Sequence, residues 1–394
     1  MKDVLRLRSA RAAPILGGNL LRSLTEVIDA VPDGINLGQG VCDLDPPAPL
    51  VAGAMAAIGG DDRQVYTPFA GLPGLRDAIA QKLRRDNQLP IGPDGVVVTP
   101  GASGALFAAL LTLFDPGDPV LLFEPFYSYH RTQLTVAGLV PVPVPLAGPD
   151  HALDETALRR AVGQGAKGLI LNTPANPSGK VFARDELAAI ARVLDGSPVV
   201  VLTDEVYEYL VFDGLRHVSP ATVDGLAERS LTISSFSKTY SITGWRVGYV
   251  AGRPELVEAI GRVADQAWVC APRPMQRGVE RALRELPPSF YSRLRDEYQA
   301  RRDRFCDALE AGGFQFRRPE GAYYVLADYR RVFGELDPHA AVLELIRRAR
   351  VNAVPGHLFH ADARGVRTMR FHFAVNDAVL DDACARLRAL GSSS

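Results

Sequence analysis

Little in this sequence is extreme, and each shortage removes a class of function. Formal net charge is −1, from 44 Lys+Arg and 45 Asp+Glu in 394 residues. No excess of one sign is available to hold nucleic acid or an anionic membrane surface. The arginines of Arg301, Arg302, Arg304 and of Arg347, Arg348, Arg350 alternate with acidic or apolar residues, as on solvated helix faces. Cysteine is scarce: Cys42, Cys270, Cys306 and Cys384 are far apart, with no zinc-knuckle or dithiol spacing. They read as buried or incidental thiols of a reducing compartment. The seven histidines form no H-E-x-x-H pattern, so no metal is expected. No apolar run is long enough to cross a bilayer, and Gly138–Gly148 is interrupted by three prolines. Met1–Ala13 is basic but leads into no signal-peptide apolar core, so a cytoplasmic protein is expected.

What is present is ordinary globular material, 47% apolar and 23% charged, long enough for two domains. Leu20, Leu21, Leu24, Val27 and Ile28 share one face of an expected helix at Asn19–Ala30, followed by an extended Ile35–Gly40. Leu72–Asn87 reads as a helix with Pro73 in its first turn. From Val96 to Val250, short apolar runs alternate with helical stretches such as Gly104–Phe114 and Arg184–Leu194. The runs are Val96–Thr99, Pro119–Phe123, Gly168–Asn172, Pro198–Thr203, Leu231–Ser234 and Val247–Ala251. Runs of this kind suit strands covered on both faces of a mainly parallel sheet. Beyond about 285 the chain is helix-rich. It carries Ser289–Ala311, a strand pair near Gly313–Ala327, a helix at Pro338–Ala349 and a strand at Thr368–Ala374. A last helix is expected with Asp377 as N-cap and Gly391 just past its end. The expected division is a large α/β domain at 46–284 and a smaller α+β domain from 1–45 and 285–394.

Five constellations follow strand-like runs. In Val97–Phe107, Gly101, Ala102 and Ser103 leave backbone N–H groups open at the start of an apolar helix, which is a phosphate site or simply a tight turn. Glu124–Tyr129 sets Tyr127 where it could stack on a flat heterocycle or merely pack. In Leu171–Gly179, Asn176 sits in a proline-stiffened turn and could offer a hydrogen bond to a phenolate oxygen. In Val199–Tyr207, Asp204 ends an apolar strand; it could pair with a protonated ring nitrogen or cap a helix. Ser234–Tyr249 places Ser235, Lys238 and Arg246 within reach of one anion or one aldehyde. Its S-x-x-K match to serine acylases lacks the S-D-N and K-T-G tripeptides that such enzymes need. Ligands of open α/β sheets bind at the carboxyl ends of the strands, where all five would lie.

With Asn36–Pro47, Tyr66–Arg76 and Met369–Phe373, these segments resemble, over essentially the whole chain, the class I/II aminotransferases. These are fold-type I pyridoxal-phosphate enzymes, and the likeness is greatest to the kynurenine aminotransferase / glutamine transaminase branch. The resemblance implies an exchange of amino and keto groups between an L-amino acid and a 2-oxo acid, with pyridoxal 5'-phosphate as cofactor. Lys238 would hold the cofactor as an internal aldimine and shuttle the Cα proton. Asp204 would pair with the ring nitrogen, Asn176 and Tyr207 with the ring hydroxyl oxygen, and Tyr127 would stack on the ring. Gly101, Ala102, Ser103, Ser235 and Arg246 would hold the phosphate. Tyr66 would reach the phosphate site of a neighbouring subunit, which implies a homodimer. Arg370 would clamp the substrate carboxylate, with Asn176 and the Gly40 backbone beside it.

Departures from the pattern concern the substrate. The region near residue 22 is leucine-rich rather than carrying tryptophan. Val41-Cys42 replaces Phe-Pro, Ser103 stands where the branch can have tyrosine, and Val269-Cys270 after Trp268 replaces an aromatic–histidine pair. The substrate is therefore left open around Cys42, Ser103 and Trp268–Cys270. Two other readings remain. One is a lyase or cyclase using the same cofactor. The other is the effector domain of a transcription regulator, for which too few residues precede Asn36 to hold a DNA-binding module.

Overall fold

The computed structural model describes residues 20–42, 44–60 and 63–391. Met1–Ala13 and the first residue of the helix expected at Asn19 lie outside them. The strands are β1 (Ile35–Asn36), β2 (Val96–Thr99), β3 (Pro119–Glu124), β4 (Val140–Pro145), β5 (Gly168–Asn172) and β6 (Val200–Asp204). They continue with β7 (Ser230–Ser235), β8 (Gly248–Ala251), β9 (Tyr324–Asp328), β10 (Val351–Asn352), β11 (Val354–Pro355) and β12 (Thr368–His372). Seven of them form one sheet in the order β2-β8-β7-β6-β5-β3-β4. Only β8 runs against its neighbours, pairing antiparallel with both β2 and β7. Register sets Thr99 and Ser235 each opposite Gly248, and Asn172 opposite Asp204. The carboxyl ends of β2, β5, β6 and β7 therefore share one edge with the amino end of β8. The centres of all these strands except β4 are buried on both faces, as their unbroken apolar runs imply.

β4 is the strand that the sequence hid. It pairs only with β3, at the rim of the sheet. Pro141, Pro143 and Pro145 alternate with Val140, Val142 and Val144, so the missing N–H groups all fall on the unpaired side.

Helices follow the expected spacing. Pro73–Asp86 starts on proline and buries Leu75, Ile79 and Leu83 on one stripe. Gly101–Leu113 begins three residues earlier than the apolar pattern suggests. Two expectations needed correction. The strand pair near Gly313–Ala327 is a single strand, β9, with Gln315 only bridging to Asp328. The N–H groups of Glu320 and Gly321 are taken by the Gly179 carbonyl instead, which leaves no ladder to extend. At the last helix, Asp377–Gly391, Asn376 is the cap: its Oδ1 accepts the Val379 N–H at 3.0 Å. Asp377 is the first helical residue and pairs with Arg304, and Gly391 is the last helical residue rather than the one beyond.

A separate apolar cluster draws on residues 24–37 and 294–390, including Leu24, Ile28, Phe305 and Phe371. It packs around the three-stranded sheet β11-β12-β9 and reaches Tyr207 and Phe212 of the large sheet's loops. No helix among the described residues is long and apolar enough to cross a membrane.

His372 on β12 lies within this cluster and is fully buried. Its Nδ1 accepts the Ala374 N–H at 3.3 Å. Burial first, and the charge of Arg370 second, push its pKa down to about 3. The imidazole is therefore neutral in the folded chain, while the unfolded chain takes up a proton near its ordinary value of 6.5. Stability from this group is intact above about pH 6.5 and is lost as pH falls toward 3. Thermal melting of wild type and His372→Gln between pH 8 and 5 should show a shallower acid-side decline in the variant. Parallel declines would remove His372 as a cause.

Candidate active site

The carboxyl edge of the large sheet opens into a cavity of about 510 Å³. Its far wall comes from the first described helix, the segment after β1, and β9 and β12. Lys238 sits on the loop that follows β7. Its Nζ donates to the Gly40 carbonyl at 3.0 Å and lies 5.4 Å from the Tyr323 ring centre. The Tyr323 hydroxyl donates to the same carbonyl at 3.0 Å. A β-carbon at Gly40 would collide with the Tyr324 phenol, so this close approach requires glycine.

β2 runs through Pro100 into the helix Gly101–Leu113, which has no side-chain cap. Its first N–H groups are therefore free to meet an anion at the positive end of the helix. Gly101 has φ +75°, and a β-carbon there would lie 2.5 Å from Arg246 Nη2. The Arg246 guanidinium is fixed by the carbonyls of Thr243 (2.9 Å) and Pro100 (3.3 Å). Ala102, Ser103, Ser235, Lys238 and Arg246 all line the cavity here.

Asp204 closes β6 and is 9% exposed. No helix follows it, so it caps none. Its Oδ2 lies 2.9 Å from His130 Nε2, and its backbone carbonyl accepts from Asn172 Nδ2 at 3.0 Å. His130 is buried, and its ring meets Tyr127 edge-on at 5.2 Å. Tyr207 donates to the Tyr324 hydroxyl at 3.2 Å. Burial above all, then Tyr324, raises the Tyr207 pKa well above the phenol value, which keeps it a protonated donor. Burial raises Tyr127 in the same way.

Arg370 comes from β12 and is 4% exposed. Its Nη1 donates to Asn176 Oδ1 and its Nη2 to the Gly38 carbonyl, each at 2.8 Å. The guanidinium lies 4.3 Å from the Tyr324 ring centre and 5.0 Å from that of Phe359. Its Nε is buried without a partner, an unfilled donor beside the cavity.

The structure thus brings Gly40, Ala102, Ser103, Tyr127, Asn176, Asp204, Tyr207, Ser235, Lys238, Arg246 and Arg370 to one cavity, with Gly101 directly behind Arg246. Tyr66 is not among them: it is 79% exposed and outside the lining. Val41 rather than Cys42 faces the cavity, and Trp268, Val269 and Cys270 lie outside its lining. Sequence reasoning missed His130, Tyr323, Tyr324, Ser237 and the helix residues Thr25 and Glu26. The aromatic segment Glu124–Tyr129 stops one residue short of His130, whose position one turn past Tyr127 was the available signal.

The family model for aminotransferase class I and II matches residues 32–387. A probable N-succinyldiaminopimelate aminotransferase of Mycobacterium tuberculosis is 39% identical, over 90% of this chain and 92% of that one. Kynurenine–oxoglutarate transaminase 3 of Mus musculus is 30% identical, over 99% of this chain and 92% of that one. The solved structure of the Mycobacterium tuberculosis N-succinyldiaminopimelate aminotransferase superposes with a TM-score of 0.91 at 38% identity, covering 98% of this chain and all of the other.

Proposed function

Because the chain belongs to the class I and II aminotransferases, pyridoxal-phosphate enzymes of fold type I that move amino groups between amino acids and 2-oxo acids, we propose that the cavity at the sheet edge is its active site. The residues present fit that cofactor. The cradle at Gly101, which a β-carbon would fill, suits a phosphate backed by free helix N–H groups and Arg246. Ser235 and Ser103 add hydroxyls, and Tyr127 supplies a ring face.

Bound pyridoxal phosphate supplies the carbonyl that captures the amino group and a ring that withdraws the electron pair left at Cα. The Asp204 carboxylate, oriented by His130, would face the ring nitrogen and favour its protonated form. Tyr207 and Asn176 hydrogen-bond the ring hydroxyl oxygen. Lys238 Nζ would hold the cofactor's carbonyl carbon and would accept the substrate's Cα proton. Its place beside Gly40 O keeps it within the cavity for that second task. Arg370 presents a flat pair of N–H groups to the substrate carboxylate, with Asn176 and the Gly40 backbone alongside.

Tyr66 has no role within its own cavity. Its exposure, with that of Met55, Ile58 and Val65, supports a homodimer in which Tyr66 reaches the other subunit's phosphate. The separate cluster built from residues 24–37 and 294–390 supports the division into 46–284 and the remainder. A soluble cytoplasmic location fits the near-neutral charge and the absence of a spanning helix among the described residues.

The observation that carries this reading is one lysine, one buried aspartate and one buried arginine facing the same cavity. Mixing the holoenzyme with an amino acid and no acceptor should give one equivalent of 2-oxo acid per site and no ammonia. Continuous release of ammonia would establish elimination by a lyase instead.

A further inference from the structure

The charges left unengaged in the cavity say what kind of amino donor fits. Three cations line it: Lys238, Arg246 and Arg370. On the active-site reading above, which this inference rests on and deepens, the cofactor and the substrate's α-carboxylate engage all three. No further cation lines the cavity among the described residues, so those residues offer a second substrate carboxylate no charged partner. Two anions line it, Asp204 and Glu26. Asp204 is buried against His130 at the inner end. Glu26 is exposed, on the helix Leu20–Asp29 at the other wall. That helix is anchored by Leu24 and Ile28, each 1% exposed, which leaves Thr25 and Glu26 on its cavity side. Among the described residues, no ion pair engages the Glu26 carboxylate. By contrast Glu124, Glu186, Glu205 and Glu208 are all paired with cations or histidines. With no ion pair to Glu26 and no spare cation in the cavity among the described residues, its carboxylate biases the local field toward a positive group.

We propose that the amino donor carries a cationic side chain, an ammonium or guanidinium on a flexible methylene stem, and that Glu26 meets its head group. Tyr129 and Val41, both exposed in the cavity lining, offer apolar surface to the stem, and the head stays partly in water, which suits a long basic side chain. A partly exposed ion pair of this kind gives only about two- to fivefold preference over an uncharged isostere. Glu26 therefore acts as a selector rather than as an anchor.

The test uses the holoenzyme and donors that cannot react because their α-hydrogen is replaced by methyl: α-methyl-lysine, α-methylnorleucine and α-methylglutamate. Dissociation constants come from titration calorimetry. The lysine analogue should bind about two- to fivefold more tightly than the norleucine analogue, with the glutamate analogue weakest. In Glu26→Gln the ratio of lysine to norleucine analogue should fall to near one. An unchanged ratio in Glu26→Gln overturns the assignment. So does a glutamate analogue that matches or exceeds the lysine analogue in wild type. If none of the three binds, or if Arg370→Lys weakens none of them, the active-site reading itself fails and takes this proposal with it.

Discussion

Lys238→Ala should lose amino-group transfer by about 10⁴-fold or more, the upper range for removing a positioned acid–base group, because the same amine also forms the resting link. The variant should still bind cofactor through Arg246, Ser235 and the free N–H groups ahead of Gly101–Leu113. It should lack the lysine-linked visible band, and borohydride should fix no cofactor to the chain. Among the described residues Lys238 makes no ion pair and its one hydrogen bond is to Gly40 O, so the truncation leaves no charge of theirs uncompensated. Folding should survive, and the loss can be read as chemistry. A variant that turns over, or that borohydride still labels, would show that another amine does this work.

The second large effect is expected at Arg370. Arg370→Lys keeps the charge but cannot bridge Asn176 Oδ1 and the Gly38 carbonyl while facing a carboxylate. It also gives up the flat stack 4.3 Å from the Tyr324 ring centre. Disrupting a buried charge pair typically costs about 2 kcal/mol or more, or roughly thirtyfold in kcat/KM. Most of it should appear in KM, since the contact is made before and during the reaction. Steady-state rates over a range of donor concentrations measure it. A change of under about threefold would mean that the carboxylate is held elsewhere.

Sequence carried the parts of the site that are local. A strand, a small-residue turn and a polar side chain lie within a few positions of each other at Thr99–Ser103, Asn172–Asn176, Asp204–Tyr207 and Ser235–Lys238, so pattern and spacing expose them. Partnerships made by folding were hidden. His130 meets Asp204 across 74 positions, and Lys238 meets Gly40 across 198. Nothing near either residue signals the other. Tyr323 and Tyr324, just before and at the start of β9, look like strand residues, because their use depends on which side of the strand faces the cavity. Thr25 and Glu26 were masked by the apolar stripe on the same helix, which is the stronger signal but marks the face turned away from the cavity. β4 was passed over because three prolines argue against a strand anywhere except at a rim, and the rim is a property of the finished sheet.

Those three prolines have a consequence for how the protein behaves when crowded. A bare sheet rim is a template on which another chain can add a strand and begin a fibre. Here the outer side of β4 offers no donors at alternate positions, so an incoming strand finds carbonyls it can bond to only in part. Growth by strand addition is blocked at that end of the sheet from the moment the sheet forms.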